Sequence, residues 1–266
     1  MSTSVRQITV PAFAAMKAAG QKITMLTAYD FTMAGLLDAA GVEGILVGDS
    51  LGMVVQGHAC TLPVTMDEMI YHAKMVGRAV RHALVVVDMP FLSYQLGVRK
   101  ALANAGRVLK ETRCQAVKLE GGADQAELIA KLVSIGIPVM AHLGLRPQSI
   151  HQLGGYSVQR DAGPLLADAK AVEEAGAFSI LLECIPAEIA AAITAEARVP
   201  TIGIGAGNGC DGQILVIHDL LGFTTGRLPR HAKAYADLGT VIQQAVACYR
   251  DEVRSGAFPG PEQTFQ

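Results

Sequence analysis

The sequence predicts an α/β protein, a (β/α)8 or TIM barrel with an amino-terminal helix closing the bottom of the barrel. Three observations carry that expectation. Eight short runs rich in Val, Ile and Leu read as strands buried on both faces. Longer stretches with helical spacing lie between most of them. A helix–Gly–strand pattern also recurs, as AAGVEGILVGD, SIGIPVMAHLG and EAGAFSILLEC. Such alternation gives a parallel sheet with helices outside, and eight strands favour closure. An open doubly wound sheet is the competitor, but no G-x-G-x-x-G follows the first strand.

Taken in order, Thr9–Ala19, with Pro11 near its start, suits a helix plugging the amino-terminal mouth. Strands are expected at Ile23–Ala28, Gly44–Val47, Leu84–Val87, Ala116–Leu119, Pro138–Ala141, Ser179–Leu182, Pro200–Ile204 and Gln213–Ile217. Helices are expected at Phe31–Ala40, Met66–Arg81, Val98–Thr112, Asp124–Ser134, Pro164–Ala175 and Pro186–Ala197. Thr65 with Glu68 three residues on is a capping-box signature. Pro186 fits a first helical position, where its missing N–H costs nothing. Only Gly205–Gly212 separates the last two strands, too short for a regular helical crossover. Either a single helical turn serves there, or the strand edges lie elsewhere. The link after the fifth strand, GLRPQSIHQLGGYSVQRDAG, is long and rich in turn formers, as functional lids and disordered loops are. His231–Arg254 is expected to form the last outer helix, ending at Gly256. The expected organisation is one barrel domain over residues 1–266, with an arm over about 1–20 and a tail over about 256–266.

Composition narrows the function. With 51 % of 266 residues apolar, there is material for one large core. A net charge of −2 with 17 % charged residues leaves no electrostatic footprint for nucleic acid. The first residues carry Arg6 and Lys17 and no long apolar core, so neither a signal peptide nor a membrane span is expected. Five scattered cysteines without a C-x-x-C pair suit a reduced, cytoplasmic thiol set better than a disulfide framework or zinc knuckle.

In this fold the chemistry gathers at the carboxyl ends of the strands. Those ends carry Tyr29 and Asp30, Asp49 and Ser50, Asp88, Lys118 with Glu120, His142, Glu183, and the GIGAGN run at Gly203–Asn208. One carboxylate at such a boundary commonly caps the next helix; successive strands each supplying one is harder to explain that way. Asp49, Asp88 and Glu120 follow strands two, three and four, and neighbouring strands sit about 4.8 Å apart, so the three would converge. Their mutual repulsion calls for a cation. Hard oxygen donors without nearby Cys or paired His favour Mg2+ or a similar divalent ion. Lys118 alternates with Glu120 and so faces the same way. It reads either as a group that holds a substrate carboxylate or steadies an enolate, or as a structural ion pair with Glu120 or Asp88. Glu183 ends the apolar run SILLEC, where desolvation would raise its pKa into the range of a general base; its rival role is to cap the helix opening at Pro186. His142 reads as a donor to an oxyanion or as a satisfied core histidine. GIGAGN reads as a phosphate loop or as close packing at a crowded mouth. His58, His72, His82, His151, His218 and His231 have no evident partners.

Read together, TAYD (27–30), VGDSLGMVVQGH (47–58), TLPVTMDEM (61–69), VKLEGG (117–122), HLGLRPQS (142–149), GGYSVQ (154–159), LLECIP (181–186) and GIGAGNGCDGQILV (203–216) closely resemble the ketopantoate hydroxymethyltransferase family. The likeness runs from about residue 20 to the tail motif at Phe258–Gly260. It implies a TIM barrel that binds Mg2+ through Asp49, Asp88 and Glu120. It implies a 2-oxo acid held by Asp49, Ser50, Asp88 and Lys118, and Glu183 as proton acceptor. It also implies 5,10-methylenetetrahydrofolate as one-carbon donor and a large homo-oligomer, a decamer. The chain departs from the family's usual residues at Arg146, Ser157 and Arg160, all in the long loop after strand five, and at KETRCQ before strand four. Three other readings share parts of this pattern. One is a folate-independent 2-oxo-acid lyase or mutase of the phosphoenolpyruvate mutase/isocitrate lyase type. Another is an aldolase with Lys118 as Schiff base. The third is a non-catalytic metabolite-binding barrel.

Overall fold

Thr9 opens the first helix, α1 (Val10–Ala18), by accepting a hydrogen bond from Ala12 N, with Pro11 in the first turn where no N–H is required. The computed structural model describes residues 7–224 and 226–265, and divides them into two units between Val216 and Ile217. In the first unit, strands and helices alternate as β1 (Ile23–Thr27), α2 (Phe31–Ala39), β2 (Gly44–Val47), the short α3 (Leu51–Val54), α4 (Met66–Ala79), β3 (Leu84–Asp88), α5 (Val98–Glu111), β4 (Ala116–Glu120), α6 (Ala126–Ser134), β5 (Val139–Gly144), the single turn α7 (Ile150–Leu153), α8 (Ala162–Glu174), β6 (Ser179–Glu183), α9 (Ala187–Glu196), β7 (Thr201–Ile204) and β8 (Gly212–Leu215). The eight strands pair in parallel and in sequence order, and β1 pairs β8, so the sheet is a closed barrel.

The core follows from that closure. Strand residues facing inward, Met25, Leu46, Val86, Met140 and Ile202 among them, fill the barrel. Its amino-terminal mouth is stoppered by α1: Phe13 is fully buried and meets Phe178 edge to face, centroids 5.9 Å apart. Lys17 Nζ fastens the same helix by donating to Thr194 O and Asp211 Oδ2, each at 2.7 Å. The plug expected from Thr9–Ala19 is therefore in place.

Strands β3 to β6 run one to three residues beyond their expected ends, taking in Asp88, Glu120, His142 and Glu183. Register explains the extension: Asp88 pairs Lys118, Glu120 pairs His142, and Gly144 pairs Glu183. The apolar run stops there, but the backbone ladder does not. Between β7 and β8 there is no helical turn; residues 205–211 cross in bends. Pro186 is the cap residue of α9 rather than its first helical one. In the second unit, α10 (Ile217–Leu221) starts where the eighth strand was expected to end. The last helix, α11 (Leu238–Ser255), starts at Leu238 rather than His231, because Asp237 caps it by accepting from Thr240 N, and it ends at left-handed Gly256.

Candidate active site

At the carboxyl ends of β2 to β6, charged side chains lie buried beside one another. Asp49, Asp88, Lys118, Glu120 and His142 are each 5 % exposed or less. Burial of this depth is tolerated only when charges are paired and hydrogen-bonded. Lys118 Nζ lies 2.9 Å from Asp88 Oδ1, so the ion pair anticipated for it exists. It also lies 3.0 Å from His142 Nδ1. An ammonium can only donate, so Nδ1 accepts and the neutral ring carries its proton on Nε2. That nitrogen sits 3.2 Å from Glu183 Oε2, without the alignment of a hydrogen bond. Asp88, Lys118, His142 and Glu183 thus form one connected line across four adjacent strands.

Electrostatics follow from this packing. Burial works against the Lys118 ammonium, but Asp88, Glu120 and Asp49 outweigh it and hold its pKa above the ordinary lysine value. Burial, helped by the Lys118 charge, pushes the His142 imidazole down, which agrees with the neutral ring. Burial and the neighbouring Asp88 push Asp49 up to about 7. Burial and Asp49 push Glu120 well above the carboxylate range. One lysine does not compensate three carboxylates.

Asp49 and Glu120 each have one oxygen held by the protein, and Asp88 has both. Asp88 Oδ2 accepts from Asp49 N at 3.0 Å, Asp49 Oδ2 from Gln148 Nε2 at 2.8 Å, and Glu120 Oε2 from Gln148 N at 3.0 Å. The second oxygens of Asp49 and Glu120 receive no hydrogen bond among the described residues, whereas Asp88 Oδ1 is taken up by the Lys118 ion pair. Hard, anionic, half-occupied donors in charge deficit suit Mg2+. Yet among the described residues no group of three or more His, Cys, Asp or Glu side chains stands close enough together to hold an ion unaided. Mg2+ commonly takes one or two carboxylates and completes its shell with substrate and water, and this donor set fits that mode.

The capping alternative divides the acidic residues cleanly. Asp30 is a helix cap, its Oδ1 accepting from Met33 N at 2.8 Å. Asp49, Asp88, Glu120 and Glu183 do not cap the helices that follow their own strands. Glu183 is less deeply buried than the apolar run before it suggests, its side chain 17 % exposed. Ser50 stands beside the cluster with its Oγ 2.9 Å from the Tyr29 hydroxyl. The GIGAGN run does not join the cluster. A side chain at Gly207 would strike Ala187 of α9, and Gly207 has φ +78°, so its glycine serves close packing.

Several residues the sequence did not single out complete the site. Gln148 and Tyr94 are buried and bonded to each other and to Glu120. His72 Nδ1 contacts Tyr29 O at 2.6 Å, bracing the strand end that carries Tyr29. Cys184 holds a left-handed backbone (φ 48°) uncommon outside glycine, directly after Glu183. Over the mouth, the long loop is tied down at Gln148, by Tyr156 OH to Met53 Sδ at 3.4 Å, and by Gln159 N to Cys184 O at 3.1 Å. Of its unusual residues, Arg146 lies 3.4 Å from Asp124 Oδ2, while Ser157 and Arg160 are exposed.

Known proteins give the arrangement a lineage. Residues 7–261 match the family model described as ketopantoate hydroxymethyltransferase. A 3-methyl-2-oxobutanoate hydroxymethyltransferase of Rhodopirellula baltica is 58 % identical over 260 residues, covering 98 % of this chain and 97 % of its own. One from Desulforapulum autotrophicum is 55 % identical over 98 % of this chain and 99 % of its own. Among solved structures, 2,3-dimethylmalate lyase, a PEP mutase/isocitrate lyase superfamily member, superposes with a TM-score of 0.63 at 19 % identity, covering 97 % of this chain and 92 % of its own. A phosphonopyruvate hydrolase solved with oxalate and Mg2+ gives 0.60 at 15 %, covering 96 % and 92 %. Those two likenesses speak for the fold alone. The matches that span the whole chain at more than half identity decide the lineage: the chain belongs to the ketopantoate hydroxymethyltransferase family.

Proposed function

We propose that this enzyme transfers a hydroxymethyl group from 5,10-methylenetetrahydrofolate to 3-methyl-2-oxobutanoate, giving 2-dehydropantoate, the first committed step toward pantothenate. The observation that carries the reading is the buried line Asp88–Lys118–His142–Glu183 set beside Asp49 and Glu120. Such a site can hold an α-keto acid at one end and take a proton from its C3 at the other.

Asp49 and Glu120 would hold Mg2+ through their open oxygens, with Asp88, shared with Lys118, as the third expected ligand once substrate and water complete the shell. When bound, the ion supplies Lewis-acid polarisation of the substrate's keto oxygen. Glu183 is the proton acceptor: it takes the C3 proton, and the His142 Nε2–H beside it donates to the charge that develops. Lys118, kept cationic by its carboxylate neighbours, steadies the enolate oxygen. Ser50, oriented by Tyr29, joins Asp49, Asp88 and Lys118 in positioning the 2-oxo acid. The C3 carbanion then attacks the methylene carbon of the folate adduct. One methylene–nitrogen bond of the folate breaks as the C–C bond forms, and water then displaces the second nitrogen, supplying the hydroxyl as tetrahydrofolate leaves.

The expected setting is the cytoplasm, which the five free cysteines support, and the expected state is a homo-oligomer, a decamer on the family resemblance. No helix among the described residues is long and apolar enough to cross a membrane. One assay tests the function: pure protein, Mg2+ and 3-methyl-2-oxobutanoate, with and without methylenetetrahydrofolate. A product of the mass of 2-dehydropantoate is expected only when folate is present. Folate-independent cleavage of the 2-oxo acid would instead favour a lyase of the kind whose fold the barrel shares. Light scattering of the same sample measures the subunit number.

A further inference from the structure

Gln148 has the densest polar contacts of any uncharged residue near the site. It lies on the 3-10 turn Pro147–Ser149, where the long loop leaves β5, and is buried. Its Nε2 donates to Asp49 Oδ2 at 2.8 Å and to Met89 O at 3.0 Å, and its backbone N donates to Glu120 Oε2 at 3.0 Å. Its Oε1 lies 2.9 Å from the Tyr94 hydroxyl and 3.4 Å from Gln95 Nε2. Tyr94 is itself fixed, because Glu120 N donates to its hydroxyl at 3.2 Å.

The bonding leaves one orientation for the amide. Asp49 Oδ2 and Met89 O only accept, so the NH2 group must face them; a flipped amide would set its carbonyl against two acceptors. Both amide protons and the carbonyl are then used. A fully satisfied buried network of this kind specifies a geometry as well as filling space. What it specifies is the separation of two carboxylates on strands that are not neighbours, Asp49 after β2 and Glu120 on β4, together with the chain just past β3 at Met89. Each carboxylate is bound by Gln148 at one oxygen, which restricts how the other can turn.

We propose that Gln148, locked by Tyr94, is a positioning residue that sets how the free oxygens of Asp49 and Glu120 face a divalent cation. This rests on the metal-dependent reading of the site above.

The test uses Mn2+ as probe on the whole protein without substrate, its affinity measured by electron paramagnetic resonance. Gln148→Met keeps the volume and the backbone donor to Glu120 but removes both donors of the amide. The expected result is a cooperatively folded protein whose Mn2+ affinity falls on the order of 10- to 100-fold, the size usual for partners that orient metal ligands. Tyr94→Phe, which frees the amide to turn, should lose affinity in the same direction and by less. Excess Mn2+ should restore C3 hydrogen exchange in Gln148→Met and should not restore it in Glu183→Gln. A Gln148→Met affinity within about twofold of wild type, with only thermal stability reduced, would overturn the proposal. If that variant fails to fold, an unchanged affinity in Tyr94→Phe overturns it instead. A wild-type protein that binds no Mn2+ removes both the proposal and the metal reading, whereas loss confined to the variants leaves the metal reading standing.

Discussion

Glu183 stands nearer the neutral His142 imidazole than Glu120 does, its Oε2 3.2 Å from Nε2 against 3.9 Å from Glu120 Oε1 to Nδ1. On the proposed mechanism it receives the proton rather than sharing the cation. Replacing Glu183 by Gln keeps its shape and removes the acceptor. Deuterium exchange at C3 of 3-methyl-2-oxobutanoate should then fall by roughly 10²-fold or more, with Mn2+ affinity unchanged. Undiminished exchange would take Glu183 out of that role. Its backbone is held just as firmly. Gly144 has φ +92°, and a methyl group there would collide with Glu183 O. Gly144→Ala should destabilise the protein by more than about 1 kcal/mol and, by shifting Glu183, lower the exchange rate more than substrate affinity. Equal urea midpoints for the two proteins would refute the strain argument. The charged members of the site were legible in the sequence, because charge at the end of an apolar run is costly unless it is used. Gln148, Tyr94 and His72 were not. An uncharged amide in a turn-rich loop reads as surface, and Gln148 meets Asp49 only through folding, across 99 residues of chain.

Helices were legible where their ends carry a chemical signature. The Thr65–Glu68 box is formed as expected: Thr65 Oγ1 accepts from Glu68 N, and Glu68 Oε2 accepts from Thr65 N at 2.7 Å. Those bonds from Thr65 hold the Glu68 carboxyl below its usual pKa. A folded-state pKa depressed in this way contributes stability above the unfolded value, and that contribution is lost as pH falls through the folded value. Glu68→Gln should therefore cost stability at pH 7 and progressively less as pH falls below about 4, the ordinary range of a glutamate. Thr65→Ala should cost about 1 kcal/mol at pH 7. Urea unfolding at the two pH values measures both, and a pH-independent Glu68→Gln difference would show that the charge of the box contributes nothing. Strand ends were less legible than caps. Apolarity marks where a strand is buried, whereas the ladder that defines it continues through Asp88, Glu120 and Glu183. The turn between β7 and β8 resolves to displaced strand edges rather than a helical turn, β8 running over Gly212–Leu215. Its glycines let the chain cross without a helix, and only their packing against α9 reveals that.

Across the whole molecule, eight parallel strands in sequence order were readable from alternation alone, since closure needs only repeated strand–helix units. Closure has a consequence that no single strand shows. It forces the ends of β2, β3 and β4 together and buries three carboxylates beside one ammonium, so the fold bears an electrostatic cost that the proposed ion would offset. Asp49, raised to about 7 chiefly by burial and Asp88, marks that cost. Asp49→Asn keeps a carbonyl oxygen for the amide of Gln148 while removing one buried charge. In EDTA at pH 8, this variant should therefore melt at a higher temperature than wild type, by on the order of 2–4 °C for each kcal/mol relieved. Saturating Mg2+ reverses the order. At one hundred times its dissociation constant an ion stabilises the wild type by about 2.7 kcal/mol, while the variant, short of a ligand, gains little. Calorimetry of the two proteins with and without Mg2+ measures both effects. If Asp49→Asn melts below wild type in EDTA, Asp49 belongs to the barrel's stability rather than to its ion, and the acidic cluster must be held by the protein for its own sake.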